Sequence, residues 1–120
     1  MKNYTTTYDY ENDAFIFEIL KTARERGGAT LENYCYADYT SGYQVSKTEN
    51  GRANMTCDWK EAIEMIKALS GNCGIWYDGG FWYIETSYHM YSLTEAYNTA
   101  MKYNQISIYD WANDSYIYLQ

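Results

Sequence analysis

A two-residue Gly79-Gly80 turn between alternating segments constrains this chain more than any other feature. In Gly74-Ile75-Trp76-Tyr77-Asp78-Gly79-Gly80-Phe81-Trp82-Tyr83-Ile84-Glu85, such a turn sets 78 opposite 81, 77 opposite 82, 76 opposite 83 and 75 opposite 84. Ile75, Tyr77, Trp82 and Ile84 then share one face, and Trp76, Tyr83, Asp78, Phe81 and Glu85 share the other. The split repeats near the C-terminal end, with Ile106, Ile108, Ile117 and Leu119 set against Tyr109, Trp111, Tyr116 and Tyr118. One face reads as core, the other as an exposed platform of rings and carboxylates.

Each hairpin follows a helix signal. Asp58-Trp59-Lys60-Glu61-Ala62-Ile63 aligns with Ser92-Leu93-Thr94-Glu95-Ala96-Tyr97, 34 residues further on. Both stretches open as capping boxes, an oxygen acceptor followed three residues later by Glu. Apolar residues then recur at helical spacing: Ala62, Ile63, Ile66 and Leu69 in one, Leu93, Ala96, Ala100 and Met101 in the other. Gly71-Asn72 and Asn104 are suited to ending these helices, because both residue types tolerate the left-handed conformation. The hairpins turn at Gly79-Gly80 and near Trp111-Ala112-Asn113-Asp114.

A looser first copy spans about 12–48. Asn12 is placed to cap a helix with the apolar face Phe15, Ile16, Ile19, Leu20 and Ala23, ended by Gly27-Gly28. Thr30–Tyr39 and Tyr43–Lys47 would be its strands, joined through Thr40-Ser41-Gly42. Glu49–Asn54 reads as the main loop, and residues 1–11 as an added strand or a loose arm. Three α-β-β units (about 12–48, 58–87 and 92–120) predict one α+β domain over 1–120, with an antiparallel sheet and helices packed on one face.

Charge and composition narrow the partners. Nine basic against 16 acidic residues give a net charge of −7. That sign disfavours direct nucleic-acid binding and anionic membranes, and steers toward basic protein surfaces. Sixteen tyrosines and four tryptophans, with no proline, supply side chains suited to half-wet strands and interfaces. Cys35, Cys57 and Cys73 are odd in number and lack CxxC spacing, which predicts reduced thiols in a cytoplasmic protein. The start, Met1-Lys2-Asn3-Tyr4-Thr5-Thr6-Thr7, carries no apolar leader core, and no run approaches membrane-spanning length.

No chemistry-bearing motif stands beside the rings. His89 is the single histidine, next to a helix entry and without a recognisable nucleophile. Asp110 and Asp114 flank a turn, which explains them without acid-base work. Neither zinc spacing, an EF-hand loop nor a phosphate-binding glycine loop is present, so no metal or cofactor is expected. Strand propensity and cross-strand pairing account for part of the ring content. A contiguous exposed patch of Trp76, Tyr83, Tyr109, Tyr116 and Tyr118 would instead mark a contact, a second copy of the chain included.

Gly74–Ile84 resembles one repeat of the cell-wall choline-binding modules, which implies a carbohydrate-binding alternative; those modules string hairpins together without intervening helices. In size, in its charge of −7, in the stretch Tyr109-Asp110-Trp111-Ala112-Asn113-Asp114-Ser115-Tyr116 and in its lack of catalytic residues, the chain resembles the small acidic anti-restriction and anti-CRISPR proteins of phages and mobile elements. That resemblance is one of character and not of motif. It implies a non-enzymatic inhibitor of a nucleic-acid-handling host defence complex, acting in the host cytoplasm on a basic protein or ribonucleoprotein surface. The rings Trp76, Tyr83, Tyr109, Tyr116 and Tyr118 would anchor the contact, with Asp78, Glu85, Asp110 and Asp114 facing Arg and Lys, partly in imitation of DNA. The alternative reading is a homodimer closed by the ring face.

Overall fold

The computed structural model describes residues 13–48 and 54–119. The expectations for residues 1–11, for Asn12 as a cap and for the loop over 49–53 lie outside the described residues. The elements are α1 (Asp13–Arg26), β1 (Gly28–Glu32), β2 (Cys35–Tyr36), β3 (Tyr43–Val45), β4 (Met55–Thr56), α2 (Trp59–Ala68), β5 (Cys73–Asp78), β6 (Phe81–Glu85), β7 (Tyr88–Met90), α3 (Leu93–Lys102), β8 (Ser107–Asp110) and β9 (Ser115–Tyr118). The fold is α+β, with helices and antiparallel strands as expected. The strands form two sheets, however, in the orders β2-β1-β5-β6-β4 and β7-β3-β8-β9. The chain divides into two compact units, Met1–Ala37 with Asn54–Ile84, and Asp38–Ala53 with Glu85–Gln120.

The first unit holds the larger core. Ile16, Ile19, Leu20 and Ala23 of α1 and Ala62, Ile63 and Ile66 of α2 are buried against Leu31, Cys73, Ile75, Trp82 and Ile84. Helical and strand periodicities thus bring two helix stripes and one sheet face together, as the apolar spacing requires. Each fully buried Ile or Leu contributes roughly 1.5–3 kcal/mol. Trp82 is buried with its indole N–H donating to the Leu20 carbonyl at 3.1 Å. Gly79 and Gly80 take φ of +60° and +89°, the pair of positive values a two-residue turn needs to follow strand twist. Ring contacts Trp76–Tyr83 at 5.0 Å and Tyr77–Trp82 at 5.4 Å join the residues expected to face each other.

The first hairpin differs from expectation. Asn33 and Tyr34 adopt φ of +53° and +65°, so the run over 30–39 breaks there into β1 and β2, paired through Leu31↔Tyr36 and Glu32↔Cys35. β3 does not return to β1; it joins β7 and β8. Local pattern cannot reveal such a long-range choice of partner.

In the second unit α3 packs on β3, β7 and β8. Its core is smaller: Val45, Ala96, Ala100 and Ile108 are buried, with Tyr43, Met90, Ile117 and Leu119 packed against them. Ser92 caps α3 by accepting from the Glu95 amide at 3.2 Å. Asp58 caps α2 through the Lys60 amide at 2.9 Å, while Glu61 turns away to accept from the Thr56 hydroxyl at 2.6 Å. Asn104 ends α3 at φ +57°. Three apolar side chains depart from their expected core positions. Leu93 and Met101 lie on the exposed side of α3, and Ile106 is 56% exposed. α3 presents its two alanines to the sheet, which brings the backbones close and turns the larger side chains outward. Ile106 precedes β8, where the chain is still leaving the left-handed cap.

Candidate functional site

The second unit's sheet carries a row of aligned residues on the face away from α3. Backbone register sets His89 opposite Gln44, Gln44 opposite Tyr109 and Tyr109 opposite Tyr116. Alternation along β8 and β9 keeps Tyr109, Tyr116 and Tyr118 on this face, and Ile108 and Ile117 on the other. The loops at either end add Tyr39, Tyr91 and Trp111.

The rings touch in an unbroken run. Tyr91 meets His89 edge-on at 4.6 Å, His89 stacks on Tyr39 at 3.7 Å and 15°, and Tyr39 meets Trp111 at 5.6 Å. Trp111 then meets Tyr109 at 5.0 Å, Tyr109 meets Tyr116 at 5.3 Å, and Tyr116 lies 6.2 Å from Tyr118. Most of these contacts are edge-to-face or tilted, arrangements that the ring quadrupoles favour. Exposure rises toward the ends, to 74% at Tyr91 and 72% at Tyr118.

Polar atoms at the centre of the run are tied inside the protein. Trp111 donates its indole N–H to Gln44 Oε1 at 2.9 Å, and Gln44 Nε2 donates to the Ser87 hydroxyl at 2.8 Å. Gln44 is buried, so both ends of its amide are matched. The Tyr109 hydroxyl donates to Asp114 Oδ1. Burial first, then Asp114, pushes the Tyr109 phenol up to about 12; burial, then Tyr118 and Asp114, raises that of Tyr116. His89 Nε2 lies 2.7 Å from the Ser41 carbonyl, an acceptor only, so this nitrogen carries the proton and donates. Gly42 leaves room for it, since a Cβ there would sit 2.4 Å from the same nitrogen.

The expected site residues scatter more than the sequence suggests. Tyr109, Tyr116, Tyr118 and Asp114 come together. Trp76, Tyr83 and Asp78 belong to the first unit, where Trp76 is 37% exposed and Tyr83 only 7%. Tyr83 lies on the side of β6 facing away from the core, buried beside Trp76 and opposite Met55 of β4, so it is no exposed anchor. Asp110 is also buried. It shares Ile108's face and holds the turn by accepting from the Ala112 amide at 3.1 Å and from Asn113 Nδ2 at 2.8 Å. Glu85 is half-buried, with Oε1 buried and unpartnered among the described residues. Burial pushes its carboxyl up to about 7, opposed by a hydrogen bond from Ser46.

Tyr39, His89, Tyr91 and Trp111 were not among the expected site residues. Trp111 carried a signal, since it falls on the ring side of the C-terminal split. Tyr39, His89 and Tyr91 join only because β3 pairs with β7 and β8, a pairing that no local pattern signals. Burial pushes the Cys73 thiol up to about 12, which leaves it a poor nucleophile. Among the described residues, no group of three His, Cys, Asp or Glu is placed to hold a metal ion, and no helix is long and apolar enough to cross a membrane. Comparison with family models, curated proteins and solved structures finds no match to this chain.

Proposed function

We propose that this is a non-enzymatic binding protein whose second-unit ring face docks on a basic surface of a host defence complex that handles nucleic acid, inhibiting it in the cytoplasm. The observation that carries the reading is the run of touching rings whose central polar atoms are already bonded internally. Such a face offers π surfaces more than free donors, and the negative ring faces suit guanidinium and ammonium groups. A cation over an exposed ring contributes about 0.5–1 kcal/mol. Asp114 beside Tyr109 and the exposed Asp38 next to Tyr39 add charge of the matching sign, and the net −7 steers encounter with a basic partner and away from phosphates. The inward Asp110 and half-buried Glu85 shift the weight from carboxylate mimicry to the rings.

The test is a panel of restriction and CRISPR nucleases assayed with and without the protein. Inhibition of one member is expected, weakened by salt and lost in the Tyr109→Ala, Tyr116→Ala, Tyr118→Ala variant. Full inhibition by that variant, shown to be folded, would sink the ring-face assignment. A panel left entirely unaffected would count against the anti-defence reading.

A further inference from the structure

Among the described residues, β9 is a sheet edge of an unprotected kind. The other edges among the described residues are shorter: two residues each in β2 and β4, and three in β7. β9 has four, Ser115-Tyr116-Ile117-Tyr118, with no charge and no proline. Natural edges are usually blunted by shortness, lysine, proline or bulges, and β9 has none of these.

The register shows which backbone groups have no partner among the described residues. Leu119 donates its amide to the Ile106 carbonyl at 2.9 Å. The ladder pairs Ile108 with Ile117 and Ser107 with Tyr118. Antiparallel ladders alternate hydrogen-bonded and non-bonded pairs, so Ile117 bonds inward to β8. Tyr116 and Tyr118 therefore turn their N–H and C=O groups away from it, toward the open side of the sheet. Beside this edge, on the α3 side, Leu93, Tyr97 and Met101 line a groove of about 460 Å³ with Ile117 and Leu119. Leu93, Tyr97 and Met101 are 45%, 47% and 53% exposed. Apolar surface thus flanks the open ladder on the groove side, and the Tyr116 and Tyr118 rings flank it on the other.

We propose that a second copy of this chain pairs with the β9 edge, antiparallel, about a two-fold axis at Ile117. The free groups are self-complementary under that axis. Tyr116 exchanges hydrogen bonds with the partner's Tyr118, and Tyr118 with the partner's Tyr116. Ile117 meets the partner's Ile117 in a non-bonded pair, where Cα atoms approach to about 4.5 Å. An isologous contact needs a surface that does not repel itself, and β9 meets this despite the net charge of −7 because it carries none itself. The apolar side chains at the groove are covered, and the ring faces of both copies join into one sheet surface. This pairing goes beyond the docking reading and stands without it.

Sedimentation equilibrium of the full chain tests it. A mass of twice 14.1 kDa is expected at high micromolar concentration, falling to the single-chain value on dilution. Tyr118→Pro removes an outward N–H and leaves the β8 ladder intact; it should weaken the dimer at least about tenfold, the loss of roughly 1.4 kcal/mol or more. Ile117→Lys sets like charges across the axis and should do the same, whereas Tyr109→Ala should leave the dimer unchanged. Amide exchange reads the same contact without substitution: Tyr116 and Tyr118 should be protected at high concentration and lose that protection on dilution. A single-chain mass throughout overturns the proposal. So does a dimer equally tight in Tyr118→Pro and Ile117→Lys, or one dissolved by Tyr109→Ala, which would place the interface on the ring face.

Discussion

The two units use the same materials for opposite ends. In the first, two helices cover one sheet face and aromatic side chains of the Gly79-Gly80 hairpin join the core: Trp82 is buried and Tyr77 packs against the cluster. In the second, one helix contributes Ala96 and Ala100 to a core of few large residues, and the rings line the far side of the sheet. The difference teaches where stability resides and where rings are left over for the proposed docking. A Trp in the first unit satisfies its N–H on a helix carbonyl. Trp111 in the second satisfies its own on a side chain within the ring row.

The sharpest way to break this contrast is to remove both indoles. Trp82→Ala should lose about 3–5 kcal/mol in urea denaturation, the range for emptying a large aromatic site. Trp111→Ala should lose roughly 1–2 kcal/mol, mainly from leaving Gln44 Oε1 unmatched. Equal losses would show that the ring row supports the fold as much as the core does.

Glu85 offers a smaller, pH-dependent contrast. Burial raises its folded carboxyl to about 7, above its unfolded value. The folded state therefore holds the proton more tightly, and stability falls as pH rises from the ordinary carboxylate range through about 7. Glu85→Gln should flatten that fall in thermal melts and be more stable than the native chain at pH above the window. A native stability that rises across the same window by more than in Glu85→Gln would contradict the assignment.

Tyr109→Phe should have the smallest effect. It removes the hydroxyl that donates to Asp114 and keeps the ring, so the loss should be about 0.5–1.5 kcal/mol. Retention of the proposed inhibition in this variant would assign docking to ring surface and not to the phenol.

Much of the fold was legible because helix and strand periods are local. The apolar stripe of α1, the Ser92 and Asp58 caps, the Asn104 terminus and the Gly79-Gly80 turn each depend on neighbouring residues. The ring side of Tyr109, Tyr116 and Tyr118 follows from the same alternation. Asp110 was equally readable, since it shares parity with the buried Ile108, but its turn position drew it toward the exposed set. Tyr83 was not readable, because its burial depends on β4 arriving beside β6.

Local order in the chain determined the three described helices, the Gly79-Gly80 and C-terminal hairpins and which strand side chains share a face, because backbone geometry repeats every few residues regardless of context. Tertiary structure alone decided that β3 leaves the first hairpin to join β7 and β8, giving two sheets and not one. That choice assembled Tyr39, His89 and Tyr91 with the C-terminal rings. Its physical reason is that strand pairing satisfies backbone groups and buries side chains across long separations in sequence, which depends on every competing strand at once.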